Sequence, residues 1–256
     1  MPRQSHKPHP SSTLHVEHSR PEHAERQAAL MEFVYGGHAS YSDQIFTPSQ
    51  FRHHIAVFPE GQFVALDGDQ VIGLTVSMRI RFDPKHPFIE PWWETIGAGW
   101  LRHIPDGSWM YGVESCVHPG YQGRGVGGAL MQARFDAARL LNLYGMVAGS
   151  TLLDYQQAAA VATPEEYVQG VVEGRWFDTN LTKQMIKGFR PVAVIPNYVN
   201  DPTSLGWGAV ILWDNLFHDS HRRVRRRLPK GEISHVYDVT LKRRKPKKPK
   251  RPKKAK

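Results

Sequence analysis

Two periods alternate along this chain. From residue 126 to 143 the apolar positions Val126, Ala129, Leu130, Ala133, Ala137, Leu140 and Leu141 fall on one face of a helix. Alternating or continuous apolar runs occupy 62–66, 70–78, 110–117, 145–150, 190–195 and 206–213. Several are apolar on both faces, as strands of a sheet covered on both sides must be. Asp67-Gly68-Asp69 joins the first two runs as a hairpin turn. Residues 13–18 alternate and predict an edge strand. Helix starts carry their own chemistry. Thr47 precedes Pro48, and Thr163-Pro164-Glu165-Glu166 is a capping box opening a helix through Val172. Helices are also predicted over 21–35 and 178–187, the latter stopped by Gly188. Residues 81–108 are aromatic and loop-like. The order predicts a mixed α/β sheet of about six to seven strands with helices on both faces.

The stretch 111–128 concentrates the chemistry. It reads as a strand, a glycine-rich turn and a helix start: Tyr111 to Val117, then His118-Pro119-Gly120-Tyr121-Gln122-Gly123-Arg124-Gly125-Val126-Gly127-Gly128. Such a turn leaves several backbone N–H groups unpaired and pointing one way. With the positive end of the helix dipole they form a phosphate or pyrophosphate site. Glycines are needed because a Cβ would block the anion's approach to the backbone. A P-loop is excluded, since no Lys followed by Ser or Thr closes the turn. Gly123, Gly125 and Gly128 have the G-x-G-x-x-G spacing of dinucleotide-binding folds. That fingerprint needs an acidic residue about 20 residues on, at the end of the next strand. Here the next strand ends in Ser150 and Thr151, with Asp154 beyond it.

Gln122-Gly-Arg-Gly125-Val-Gly127, with Val117-His-Pro119 before it, resembles the acyl-CoA loop of the GNAT N-acetyltransferase superfamily. The resemblance extends over about residues 13–215, with further segments at 111–114, 143–149, 164–168, 187–189, 197–198 and 201–215. These look like the branch often fused to a carbon–nitrogen hydrolase domain, here stand-alone. The resemblance implies a GNAT-type fold and acetyl-CoA as cofactor. The N–H groups of Gln122, Gly123, Arg124, Gly125, Val126, Gly127 and Gly128 would hold the pyrophosphate. Val117 would bind the pantetheine arm through its backbone. The reaction implied is direct acetyl transfer to a primary amine on a small molecule or a protein.

A protonated amine cannot attack a thioester, so a base is required. Glu114 is the first candidate: a carboxylate on a buried strand three residues before Val117. Its bland reading is a Glu paired with a nearby Arg or exposed at a sheet edge. His118 and His103 are alternatives, and a loop His is often simply exposed. For the proton donor, many relatives place a Tyr four residues before the Gly of a Gly-Phe pair. Here Gln184 precedes Gly188-Phe189. Tyr155 is taken as the replacement, with Tyr198 also open; the alternative for Tyr155 is packing. Trp92 and Trp93 could line an amine pocket by cation–π contact, or form a packed lid or subunit interface, so a homodimer is open.

Composition adjusts this picture. A chain of 256 residues, 40% hydrophobic, suits one domain of about 200 residues with tails. No run of 18 apolar residues predicts a membrane span, and residues 1–12 lack a signal-peptide core. Cys116 is the only cysteine, which fits a reducing cytoplasm and a small packed hydrophobe. No metal site is expected among the 14 His. The net charge of +9 comes from residues 242–256, whose eleven Lys or Arg leave the remainder at −2. Pro246, Pro249, Pro252 and like-charge repulsion predict disorder there. That tail and Arg222 to Arg227 could bind nucleic acid or another polyanion, or serve only solubility. A binding protein on a degenerate acetyltransferase scaffold is therefore the alternative function. The expected divisions are 1–12, a domain over 13–215, an extension over 216–241 and the tail 242–256.

Overall fold

The computed structural model describes residues 14–37, 44–87 and 89–228, and the backbone of 237–238. Strands β1 (Leu14–His18), β2 (Phe63–Asp67), β3 (Gln70–Ile80), β4 (Trp109–Val117), β5 (Gly145–Thr151), β6 (Arg190–Ile195) and β7 (Gly208–Asp214) form one sheet. A two-residue β8 (Tyr237–Asp238) adds to β1. The order is β6-β7-β5-β4-β3-β2-β1-β8. All neighbours run antiparallel except β4 and β5. A parallel pair cannot be joined by a tight turn, so the chain crosses over through α4 (Val126–Leu140).

Helices α1 (Ala24–Tyr35) and α2 (Pro48–Val57) cover one face with Phe46 and Trp92. The other face is covered by α4, α5 (Pro164–Val172) and α6 (Leu181–Ile186). Both predicted Thr caps form: Thr47 accepts from the Gln50 N–H and Thr163 from the Glu166 N–H. The aromatic segment expected as loop contains one short helix, α3 (Trp92–Thr95). The strand expected over 13–18 pairs with β2 on one side and β8 on the other.

The folded body continues past Asn215. Glu60 is fully buried and accepts from the Leu228 N–H and from Arg227, both at 3.2 Å. Arg79, also fully buried, donates to the carbonyls of Gly107, Arg225 and Arg226. Asn142 ties down the carbonyls of Asp219 and Arg222, each at 2.9 Å. Buried charges need such partners, so residues 219–228 belong to the fold. The segments 1–12 and 242–256, and the polyanion binding expected of the tail, lie outside the described residues.

Candidate active-site cleft

Strands β4 and β5 pair only from Trp109/Gly145 to Gly112/Ala148. Beyond that point β4 stays with β3 while β5 stays with β7. The parting coincides with a bulge in β4: Gly112 faces Ser77, Glu114 faces Val76, and Val113 is the extra residue. A cleft of about 280 Å³ opens between the strands. Side chains take up backbone carbonyls at its edges. The Trp92 indole N–H donates to the Val113 carbonyl at 2.9 Å, and the Tyr198 hydroxyl to the Gly149 carbonyl at 3.2 Å.

The ladder register sets where Val117 points. The His118 N–H donates to the Ile72 carbonyl at 2.8 Å, so 118 and 72 form a bonded pair. Pairs alternate in an antiparallel ladder, so the N–H and carbonyl of Val117 face away from β3, into the gap. Its carbonyl accepts from the Gln122 amide at 3.3 Å, which braces the turn against the strand end.

The turn itself is built around left-handed backbone. Gly123 has φ +73° and Gly125 φ +96°; Gly125 is the N-cap of α4 and supplies no side-chain cap. A Cβ on either would meet nothing within 4 Å. Among the described residues the N–H groups from Gly123 to Gly128 find no acceptor, and the ladder resumes with Ala129 N–H to the Gly125 carbonyl. Arg124 lies over the Tyr121 ring, 4.8 Å from its centroid, and the Tyr121 hydroxyl is anchored to Asp67 at 2.6 Å. The exposed Lys187 ammonium lies 2.9 Å from where a Gly128 Cβ would sit. A cation at the positive end of a helix is unfavourable unless an anion sits with it. Lys187 was missed in the sequence reading. Its signal was a lysine adjoining the Gly188-Phe189 pair.

Glu114 lines the cleft. Its Oε1 accepts from the Tyr35 hydroxyl at 3.0 Å and the Ser115 N–H at 2.8 Å. Burial pushes its carboxyl above the ordinary 4.5, against the pull of those two hydrogen bonds and of the Arg134 charge. Arg134, on α4, and Gln184, on α6, face the same space. Tyr198 lines it too, and burial followed by the neighbouring Tyr111 phenol holds it protonated well above the ordinary tyrosine range.

The other sequence candidates lie elsewhere. Tyr155 is not brought to the cleft: it is buried among α5 residues and donates to the Ala162 carbonyl at 3.0 Å. A turn after β5 points it into the layer beneath that helix. His118 accepts from the Gly120 N–H at 3.0 Å and stacks on Phe33. His103 accepts from the Arg79 N–H at 3.1 Å and stacks on Phe58, and burial lowers its pKa to about 4. Trp92 is buried against the cleft and Trp93 stacks on Phe46. Cys116 is buried, and burial raises its thiol. Among the described residues no cluster of three His, Cys, Asp or Glu could hold a metal ion, and no helix is long and apolar enough to cross a membrane.

Comparison with known proteins supplies context for this geometry. The sequence profile of the acetyltransferase (GNAT) family matches residues 28–163. The chain is 30% identical over 175 residues to the uncharacterized N-acetyltransferase YkwB of Bacillus subtilis (strain 168), covering 68% of this chain and 77% of that protein. It is 36% identical over 165 residues to the probable hydrolase YhcX of the same organism, covering 64% of this chain. This chain spans only 32% of the length of YhcX. Among solved structures, the GNAT-like decarboxylase GphF in complex with isobutyryl-CoA shares the fold, with a TM-score of 0.64 at 22% identity, covering 78% of this chain and 98% of that one.

Proposed function

The chain belongs to the acetyltransferase (GNAT) family, and we propose that it moves an acetyl group from acetyl-CoA to a primary amine by direct attack. The observation that carries this reading is the unpaired run of N–H groups from Gly123 to Gly128 beside an open gap that holds Glu114. Acetyl-CoA supplies the thioester electrophile and the thiol leaving group. The N–H groups of residues 123–128, with Arg124 and Lys187, hold its pyrophosphate by charge-assisted hydrogen bonds and the helix dipole; the Gln122 N–H, expected in that set, donates instead to the Pro119 carbonyl at 3.3 Å. The Val117 N–H, turned into the gap, binds the pantetheine arm as an added strand would. Backbone N–H near Val117 also stabilises the developing oxyanion.

Glu114 takes the proton. An amine with a pKa near 10 is almost wholly protonated at neutral pH, so attack waits on a base. Burial makes the Glu114 carboxylate a stronger base than an exposed one. Tyr35 and the Ser115 N–H hold one of its oxygens and leave the other to face the acceptor. Tyr198, rather than Tyr155, is the hydroxyl at hand for the departing sulfur. Its phenol is a weaker acid than a thiol of pKa about 8.5, so on turning from the Gly149 carbonyl it donates a hydrogen bond to the sulfur without giving up its proton outright. Gln184 can do the same and no more. The identity to YhcX supports the reading that this domain belongs to a branch also found joined to hydrolase domains.

Titrating acetyl-CoA into the purified chain by calorimetry tests the cofactor, and thiol release with an amine panel tests the reaction. Saturable binding with amine-dependent release is expected. Absence of binding overturns the reading.

A further inference from the structure

Two arginines are buried among the described residues, and they are treated differently. Arg79 is saturated: its Nε and both terminal nitrogens donate to backbone carbonyls between 2.6 and 3.3 Å. Arg134 is only 4% exposed, yet its Nε has no partner. Its one hydrogen bond among the described residues runs from Nη2 to the Met131 sulfur at 3.7 Å, and a thioether is a weak acceptor. No carboxylate among the described residues lies within ion-pair distance of it. Burial lowers its pKa to about 10, which still leaves the guanidinium charged at neutral pH.

The guanidinium stands where β4 and β5 part. Gly112 is the last residue of β4 paired with β5, and a Cβ on it would come within 3.0 Å of Arg134 Nη1. The group therefore lines the cleft, with Glu114 as the only carboxylate there among the described residues. That carboxylate is committed through Oε1 to Tyr35 and Ser115. A buried, unpaired cation is costly to keep unless a ligand completes it. The planar fork of Arg matches a carboxylate through two parallel hydrogen bonds. A phosphate dianion fits poorly, because Glu114 shares the space and Met31, Met131 and Met146 make its walls apolar.

We propose that Arg134 binds a carboxylate borne by a substrate of this cleft, so that the protein acts on a carboxylated acyl thioester or on an amine that also carries a carboxylate. The inference rests on the acyl-CoA reading above. Two arms separate the sources. In the donor arm, malonyl-CoA and succinyl-CoA are titrated against acetyl-CoA and butyryl-CoA by calorimetry. In the acceptor arm, glycine, β-alanine and glutamate are compared with ethylamine and amino-acid amides, with acetyl-CoA as donor and thiol release as readout. Wild type is expected to favour the carboxylated member of one arm by about tenfold or more, since a site built for a polar group rejects analogues lacking it.

Arg134→Met is expected to abolish that preference without lowering Tm, because it removes an unpaired buried charge. Arg134→Lys keeps the charge but loses the fork, and is expected to reduce the preference; it carries the comparison should the Met variant fail to fold. Flat panels in both arms, or a preference undiminished in the variant that folds, would overturn the inference while acetyl-CoA still binds. Loss of acetyl-CoA binding by wild type would overturn the functional reading and this inference with it.

Discussion

Gly125→Ala separates folding from binding at the turn before α4. The residue has φ +96°, and a Cβ there meets nothing within 4 Å. The substitution therefore carries no packing penalty, and its folding cost is that of an L-residue in left-handed backbone, about 1–2 kcal/mol. For a domain of this size that is a fall in Tm of about 2–8 °C. The binding cost is separate and larger. The new methyl would stand in the open space before the N–H groups of residues 123–128, where the pyrophosphate is proposed to lie. Losing one charge-assisted hydrogen bond costs about 1.5–3 kcal/mol, a rise in Kd of about 10- to 100-fold. Calorimetry with acetyl-CoA and a thermal melt on the same sample measure both. A Kd within about twofold of wild type, alongside the predicted fall in Tm, would refute the loop assignment.

The remaining predictions concern side chains. Glu114→Gln is expected to lower kcat/KM by about 10²–10⁴ while acetyl-CoA binding holds. The acting form is the carboxylate, and burial raises its pKa; wild-type kcat/KM therefore rises with pH through a limb above the ordinary carboxylate range, and the Gln variant lacks that limb. The folded state also holds this proton more tightly than the unfolded one, so wild type loses stability as pH rises through the raised pKa and Glu114→Gln does not. Lys187→Gln is expected to weaken acetyl-CoA binding about 3- to 10-fold, with a shallower salt dependence than wild type; an unchanged salt slope removes Lys187 from the site. Tyr198→Phe is expected to lower kcat, whereas Tyr155→Phe costs about 1 kcal/mol of stability and leaves kcat alone. The reverse pattern would restore Tyr155 as the proton donor.

Helix boundaries and the geometry of the glycine turn before α4 were legible because they are local. A left-handed backbone at Gly123 and Gly125, or a capping box at Thr163, depends on a few consecutive residues whose steric and hydrogen-bonding needs act through the nearby chain. The sheet was legible for a similar reason, since strands covered on both faces leave continuous apolar runs. Glu114 stood out because a carboxylate in such a run is costly. Arg134 carried a comparable signal that was passed over: it follows Leu130 by four residues and precedes Ala137 by three, inside the apolar stripe of α4.

What remained hidden required knowing which distant segments meet. Tyr155 and Tyr198 are equal candidates by position in the chain. Only the folding of the turn after β6 onto β5 carries the Tyr198 hydroxyl to the Gly149 carbonyl, while Tyr155 turns under α5. The domain end expected at residue 215 missed residues 219–228, because the needs of buried Glu60 and Arg79 for partners appear only when those residues are seen to be inside. The sequence alone determined the local backbone, the faces of the elements and the glycine turn before α4, each set by interactions among near neighbours. The tertiary structure decided which charges are buried together and which phenol reaches the gap, because pairing of β4 and β5 ends at a bulge whose consequences lie tens of residues away.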